Sequence, residues 1–264
     1  MMRFLKNLVS APRRPGAPAL PDGQRVYAVG DIHGRADLLA RVLRAIAEDL
    51  TAFPCAAPVI VTLGDYIDRG PDSARVLSLL CEPQGAPLVA LRGNHEQMLL
   101  DFLDDPQVVN EWRRFGGLET LFAYGVDVRV VMQGAGMDEA CADLKRRMPL
   151  AHLDFLRATV FSFELGDYYF CHAGVQPGVA LEMQSAQDLI WIRDGFLQSE
   201  RPHGKMIVHG HTPCEAPEVL ANRINLDTGA YASGLLTCLR LEKSERRLLF
   251  ANDAGAVWKG DLQK

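Results

Sequence analysis

Paired cysteines, long apolar runs and a surplus of basic residues are all missing from this sequence. The six cysteines among 264 residues form no C-x-x-C pair, so we expect free thiols and a cytoplasmic protein. No segment approaches the ~20 apolar residues that a membrane-spanning helix needs. Lysine and arginine number 28 against 33 acidic residues, and the resulting net charge of −5 argues against broad nucleic-acid binding.

The charge is unevenly distributed along the chain. Five basic residues and one acidic residue give the first 25 positions a net charge of +4, so the total of −5 leaves −9 for positions 26–264. Proline, alanine and glycine are frequent in SAPRRPGAPALPDG, which predicts a flexible basic tail over residues 1–24, with a weak amphipathic anchor as the alternative. We expect a single domain over residues 25–264, whose acidic composition suits a site that collects cations.

Strands and helices alternate in the first half of the chain. The strand RVYAVGDIHG is followed by ADLLARVLRAIAEDL, which has one apolar helical face. The pattern repeats twice more, as VIVTL with SARVLSLLCE and as LVALR with NHEQMLLDFL, and this repetition predicts a parallel sheet in an α/β fold. The second half is richer in strands: VFSFEL and YYFCHAG predict a hairpin, and four further strands are predicted in KMIVHGHT, RINLDTGA, LLTCLRLE and RLLFA.

Five of the predicted strands end in glycine or cysteine beside polar residues. The five segments are GDIHG (30–34), GDYIDRG (64–70), RGNHE (92–96), CHAG (171–174) and GHTP (210–213). Carboxyl ends of parallel strands meet at one sheet edge, where ligands bind. Each residue alone has an ordinary interpretation, such as a turn-forming aspartate or a helix-capping asparagine. Their recurrence at five strand ends indicates a common site.

The residue types at these ends suit metal-assisted phosphoryl transfer. Carboxylate, imidazole and amide-oxygen ligands without cysteine favour Mn²⁺, Fe or Zn²⁺. Two such ions sharing one aspartate can activate water and bind both the attacking and the leaving oxygen. Arg69 and Arg92 lie within a few residues of these ligands, and their guanidinium groups match phosphate oxygens.

The order of the five segments resembles the calcineurin-like metallophosphoesterases. It is most similar to the bacterial and phage branch of the serine/threonine phosphoprotein phosphatases, over about residues 26–240. The resemblance implies a four-layer α/β/β/α sandwich in which two mixed β-sheets are flanked by helices. It also implies two bound divalent ions, with Mn²⁺ expected first and Fe or Zn²⁺ as alternatives.

The resemblance further implies a role for each matching residue. His95 would be the general acid, kept protonated by Asp68, since an isolated histidine has a pKa near ~6.5. The metal ligands would be Asp31, His33, Asp65 as the bridge, Asn94, His172 and His211. Phosphate would be bound by Arg69, Arg92 and Arg193. The implied reaction is hydrolysis of phosphoserine or phosphothreonine monoesters, with phosphotyrosine left open, by direct attack of a metal-bound hydroxide. The substrate would be a phosphorylated protein or a small phosphoester, and the oligomeric state is not indicated.

Two other functions are compatible with parts of this pattern. Symmetrical diadenosine tetraphosphate hydrolases typically have alanine in place of the second aspartate of GDYIDRG, and they read GNHD. Asp68 and Glu96 therefore favour the protein phosphatases. Pro213, where many metallophosphoesterases have a second histidine, favours the same branch. A metal-stabilised binding module without activity would be expected to have lost one of the main catalytic residues, and all are present.

Further candidate residues lie in the insertion and around the five segments. The segment of about 104–158 predicts two or three helices inserted between the third and fourth motifs, either beside the metal site or in the outer helical layer. Trp112, Arg113 and Arg114 in this insertion are candidates for substrate contact. Outside it, we expect His209 to support or pack rather than bind metal, Asp227 to be a structural or supporting acid, and Cys171 to be a small buried hydrophobe.

Overall fold

Two β-sheets are formed within residues 16–259, the part of the chain that the computed structural model describes. The first 15 residues of the tail predicted over residues 1–24 lie outside this range. The strands are β1 (Gln24–Val29), β2 (Ala57–Thr62), β3 (Leu88–Ala90), β4 (Ser162–Leu165), β5 (Tyr168–Cys171), β6 (Met206–His209), β7 (Glu218–Val219), β8 (Arg223–Asn225), β9 (Leu236–Glu242), β10 (Glu245–Asn252) and β11 (Gly255–Lys259).

Helices connect and cover these strands. They are α1 (Ala36–Ala52), α2 (Ser73–Cys81), α3 (Asn94–Asp104), α4 (Val109–Trp112), α5 (Gly117–Ala123), α6 (Arg129–Met132), α7 (Met137–Arg147), α8 (Leu150–Ala158), α9 (Ala186–Trp191), α10 (Asp194–Leu197) and α11 (Ala230–Ser233). Short 3₁₀ turns lie at Pro106–Val108, Arg113–Phe115 and Leu181–Met183. None of the helices within the described range 16–259 is both long enough and apolar enough to cross a bilayer.

Both sheets mix parallel and antiparallel pairs. In the first sheet, of order β11-β10-β9-β1-β2-β3, the pairs β1–β2 and β2–β3 are parallel and β9 is antiparallel to β1. This confirms the parallel arrangement predicted for the first three strands. The second sheet has the order β4-β5-β6-β8-β7, and its antiparallel β4–β5 pair is the predicted hairpin. The strands β7 and β11 were not predicted.

Alternating side chains of β1 build two separate cores. Val26 and Ala28 point to the second sheet and join the core between the sheets. Tyr27 and Val29 point the other way and pack with α1, α2 and α3. This two-residue period is what a strand covered on both faces requires.

The second sheet repeats the arrangement. Tyr168 and Phe170 of β5 join the core between the sheets, whereas Tyr169 and Cys171 pack on the other face with Leu189 of α9 and with α10. Three cores therefore separate four layers, and the predicted α/β/β/α sandwich is confirmed. The burial of Cys171 agrees with its expected role as a small hydrophobe.

Residues 16–23, the end of the predicted flexible tail, contact the rest of the structure. Leu20 is buried, and its backbone N–H donates to the carbonyl oxygen of Lys243 at 2.9 Å. The N–H of Ala19 donates to Asp167 Oδ2 at 3.1 Å, and the hydroxyl of Tyr168 donates to the carbonyl oxygen of Pro18 at 3.0 Å.

The insertion forms more helices than the sequence suggested. Within this fully described segment, α4 to α8 are five helices rather than two or three. They break at Gly116, where φ is +99°, and at Gly136, where φ is +65°, because glycine adopts this left-handed conformation without strain. Contacts with α2 and α3 make the insertion part of the outer helical layer.

Candidate active site

The five polar strand ends meet where the two sheets lie side by side. Those of β1, β2 and β3 come from the first sheet and those of β5 and β6 from the second, so the site lies at the shared end of two sheets. The structure brings together ten of the eleven predicted site residues. They are Asp31, His33, Asp65, Asp68, Arg69, Asn94, His95, His172, Arg193 and His211.

The backbone turns sharply at these ends. Six non-glycine residues in the described part of the chain have φ between +43° and +71°, and five of them belong to the site. These five are His33, Asp65, Asp68, Arg69 and His211. Such a conformation costs about 1–3 kcal/mol per residue and persists only where the surroundings enforce it. The surrounding structure therefore holds these side chains in place.

Two glycines allow the ligand-bearing segments to approach each other. A Cβ atom on Gly93 would lie 2.1 Å from Asp65 Oδ1, and one on Gly210 would lie 1.9 Å from Asp31 Oδ1. A side chain at either position would therefore displace the carboxylate of a predicted ligand. Glu96 then joins the segments by accepting backbone hydrogen bonds from Asp65 at 2.8 Å and from Gly93 at 2.9 Å.

Asp65 occupies the centre of the cluster. Its Oδ2 lies 3.4 Å from His33 Nε2 and 3.7 Å from His95 Nε2, and its Oδ1 lies 3.4 Å from His172 Nε2. Burial acts to raise the pKa of Asp65, but the nearby imidazoles outweigh burial and hold the pKa below its usual range. Asp65 belongs to both groups of side chains whose ligand atoms converge closely enough for one ion: His33 with His95, and His172 with His211. This position suits a bridging carboxylate.

The donor atoms around Asp65 fit divalent cations. Nδ1 of His172 donates to the carbonyl oxygen of Leu63 at 2.9 Å, so Nε2 carries a lone pair. That lone pair faces two oxygen acceptors, Asn94 Oδ1 at 3.1 Å and Asp65 Oδ1 at 3.4 Å. Within the described residues, buried Asp31 Oδ1 has no hydrogen-bond partner. Acceptors that face one another repel, and a cation between them removes the repulsion.

Burial also keeps the imidazole ligands neutral. It lowers the pKa of His33 to about 3 and that of His211 to about 2, and it lowers the pKa of His172 as well. The amide N–H of His211 donates to Asp31 Oδ2 at 2.9 Å and so fixes Asp31 beside the second sheet. Neutral imidazole is the form that binds metal.

His95 and Asp68 form a buried pair. The distance from His95 Nδ1 to Asp68 Oδ2 is 2.6 Å, and both side chains are fully buried. Burial lowers the pKa of His95, but the charges of Asp65 and Asp68 outweigh it, so the pKa is raised overall. The imidazole is therefore suited to carry a proton near neutral pH and to release it inside the site.

The insertion supplies two hydrogen-bond donors to the Asp68 carboxylate. Trp112 Nε1 donates to Asp68 Oδ2 at 2.6 Å, and Thr120 Oγ1 donates to Asp68 Oδ1. Trp112 is fully buried, so it is not the substrate contact that the sequence suggested. Thr120 was not identified from the sequence, because nothing in GLETL distinguishes it from an ordinary helical threonine.

The three predicted phosphate-binding arginines separate into two groups. Arg69 donates to His33 Nε2 at 3.0 Å and contacts His95 Nε2 at 3.1 Å, and Arg193 donates to His211 Nε2 at 3.0 Å. The structure does not bring the guanidinium of Arg92 to this cluster. Its hydrogen bonds go to the Gln97 and Thr159 side chains and to the carbonyl oxygens of residues 156, 157 and 159 at the end of α8. Arg92 therefore caps that helix.

A cleft of about 550 Å³ opens above the cluster. It is lined by Arg114, Phe115 and Glu119 of the insertion, together with Arg193 and Tyr231. The insertion is held against the site because the carbonyl oxygen of Gly116 accepts from the N–H of Arg69 at 3.2 Å. The insertion thus both belongs to the outer helical layer and borders the site.

Arg113 is turned away from the cleft. Its NH1 donates to the carbonyl oxygen of Val131 at 3.1 Å. Of the three insertion residues suggested as substrate contacts, Arg114 alone lines the cleft.

His209 and Asp227 lie on the periphery of the cluster. His209 is fully buried and packs edge-on against Phe196 at a ring distance of 5.0 Å, which agrees with its expected packing role. Burial raises the pKa of Asp227 to about 6, and its Oδ1 accepts from the N–H of Gly229 at 2.8 Å. The charge of Asp227 also helps to raise the pKa of Asp31, so Asp227 acts on a predicted ligand.

The fold and the site define a metallophosphoesterase, and the chain belongs to the calcineurin-like phosphoesterase family, which matches residues 24–233. Members of this family use a dinuclear metal centre. Serine/threonine-protein phosphatase 1 of Salmonella typhimurium is 31% identical over 224 residues, which are 83% of this chain and 93% of that protein. The asymmetrical bis(5'-nucleosyl)-tetraphosphatase PrpE of Oceanobacillus iheyensis is 27% identical over 241 residues, covering 84% of this chain and 90% of that protein.

A solved structure shares the fold. The cold-active protein-tyrosine phosphatase of a psychrophile Shewanella sp. gives a TM-score of 0.55 at 19% identity, over 94% of this chain and 84% of that chain. The resemblance to calcineurin-like metallophosphoesterases and to bacterial serine/threonine phosphatases is confirmed by these relatives.

Proposed function

We propose that this chain is a metal-dependent phosphoprotein phosphatase that hydrolyses phosphoserine and phosphothreonine monoesters. The observation that carries the proposal is the buried His95–Asp68 pair at 2.6 Å, beside the convergent acceptors of the candidate metal centre. A serine or threonine alkoxide is a poor leaving group, so its departure needs a proton from a nearby acid. The 31% identical relative named serine/threonine-protein phosphatase 1 supports the same substrate class.

The proposed metal-binding residues are those whose acceptors converge. They are Asp31, His33, Asp65, Asn94, His172 and His211. Two divalent cations bound there, Mn²⁺ as the first choice, would supply the Lewis acidity that neutralises the phosphate and activates water. Arg69 and Arg193, which border the same cleft, would orient the phosphate oxygens.

His95 would then transfer its proton to the departing ester oxygen. Asp68 holds Nδ1 of His95, so Nε2 is the nitrogen that faces the reacting group. Direct attack by water is proposed because Cys171, the thiol beside His172, is buried in the core below the second sheet and its pKa is raised by burial. Arg92 is not part of the proposed set, since it caps α8.

Hydrolysis of dinucleoside polyphosphates is the second candidate. It is supported by the relative named asymmetrical bis(5'-nucleosyl)-tetraphosphatase at 27% identity, whereas the sequence had suggested the symmetrical reaction as the competitor. Asp68 argues against the second candidate, because a polyphosphate leaving group is stable as an anion and needs less help from a protonated histidine.

A substrate panel on metal-loaded protein tests the proposal. Matched phosphoserine, phosphothreonine and phosphotyrosine peptides and diadenosine tetraphosphate would each be assayed after loading with Mn²⁺, Fe²⁺ or Zn²⁺. We expect the highest kcat/KM with the phosphoserine or phosphothreonine peptide. Nucleotide products from diadenosine tetraphosphate, with no phosphate released from any peptide, would support the second candidate instead.

A further inference from the structure

Arg114 is an exposed cation in a cleft whose other cations are engaged. Arg69 and Arg193 each bond to a histidine of the cluster. Arg114 also lines the cleft, but among the residues that the structure describes it has no hydrogen-bonded or ion-pair partner. An unpaired guanidinium at the wall of a substrate cleft is available for an anion.

The cleft contains one more guanidinium group than the two that lie where the phosphate would bind. Arg69 and Arg193 lie next to the predicted metal ligands, where the phosphate being hydrolysed would bind. Arg114 lines the same cleft from the insertion, outside the group of predicted metal ligands, and exposed Glu119 also lines it. The charges of Arg114 and Glu119 sum to zero, so this part of the cleft offers a single guanidinium, which suits one carboxylate better than a polyphosphate chain.

We infer that Arg114 binds an acidic side chain next to the phosphorylated residue, so that the enzyme prefers phosphopeptides with an adjacent glutamate or aspartate. The inference rests on the proposed function and specifies its substrate class. Glu119 is the opposing determinant, because its charge repels the same carboxylate.

Three phosphoserine peptides that differ only in the residue after phosphoserine, with Glu, Gln or Lys there, test the inference. An exposed charge pair is worth up to about 1 kcal/mol, or about fivefold in affinity. We expect kcat/KM to fall from Glu to Gln to Lys, by about threefold to fivefold in all, mainly through KM. High salt should weaken the preference because it screens exposed charges.

Three variants identify the residue responsible. Arg114→Gln should abolish the Glu-over-Lys preference, and Glu119→Gln should increase it. Arg113→Gln is the matched control, because it removes the same charge one position away but outside the cleft. It should keep the preference of the wild type.

The inference is overturned if the wild type shows no preference, if the preference survives Arg114→Gln, or if Arg113→Gln removes it equally. Failure of the proposed function has a different signature. In that case the wild type would release phosphate from none of the three peptides while cleaving diadenosine tetraphosphate, and the inference about Arg114 would fall with it.

Discussion

Replacing Asp68 by asparagine should disable the acid without disturbing the metal centre. The substitution conserves shape but removes the charge that faces His95 Nδ1 at 2.6 Å. It also places an uncharged amide opposite Trp112 Nε1, which now donates to Asp68 Oδ2. Burial lowers the pKa of His95, and in the variant only the charge of Asp65, no longer that of Asp68, would counteract this effect. The pKa of His95 should therefore fall, and a smaller fraction of the imidazole would carry a proton.

The size of the effect follows from this geometry. Removing one partner of a buried ion pair costs about 3–5 kcal/mol, and a positioned general acid contributes about 10²–10⁴ in rate. We therefore expect kcat to fall by about 10²–10⁴ for a substrate whose leaving group needs protonation. The expected loss is much smaller for a leaving group that departs as a stable anion.

Two aryl phosphates separate these cases. Phenyl phosphate releases a basic oxygen with a pKa of about 10, as in tyrosine, whereas p-nitrophenyl phosphate releases a much weaker base. Kinetics with both esters, and metal content measured by mass spectrometry, should show that Asp68→Asn impairs phenyl phosphate far more and keeps its metal. His95→Asn should give the same pattern, and the double variant should be no worse than either single variant. Equal losses on both esters, or loss of metal, would refute the assignment of Asp68 to the acid.

Three further predictions concern other parts of the structure. Trp112→Phe removes one donor to Asp68 but keeps the charge, so phenyl phosphate turnover should fall less than in the charge-removing variant, as steady-state kinetics would show. Gly93→Ala places a methyl group 2.1 Å from Asp65 Oδ1 and should abolish metal retention in equilibrium dialysis, whereas Gly195→Ala, with nothing within 4 Å among the described residues, should not. Burial lowers the pKa of His152, so the unfolded chain takes up a proton first as the pH falls through about 6.5. The contribution of His152 to stability should therefore fall below that pH, by at most about 1.4 kcal/mol per pH unit, and urea unfolding of His152→Asn should show a smaller total fall than the wild type.

The sequence was most informative where chemistry is concentrated in short segments. The segments around Asp31, Asp65 and His95 follow strands whose apolar runs are unmistakable, and the helices α1, α2 and α3 appear at the predicted positions. Periodicity reports which faces are buried, and a glycine after an apolar run marks where a strand ends. These local signals located the five segments that carry nine of the ten clustered residues, whereas Arg193 and the role of each residue came from the family resemblance.

Interactions between distant segments were not predictable from local signals. Thr120 and Trp112 lie 52 and 44 positions from Asp68, and their hydrogen bonds depend on how the insertion packs. Arg92 shows the converse, because closeness in sequence to Asn94 does not fix the direction of a long side chain. Similarly, β11 is short and its pattern is unremarkable, so its pairing with β10 became evident from the structure alone.

The hydrogen bonds from Trp112 and Thr120 to Asp68 make the proposed proton supply depend on the insertion, which contains none of the proposed metal ligands. Helices of this kind, anchored by outer-layer packing, can open at a lower free energy than the central sheet. Warming or mild denaturant would then abolish proton donation by His95 while the metal centre stayed assembled. The packing of the insertion would thus influence the protonation of His95 through Asp68, so substitutions far from the cleft could change turnover.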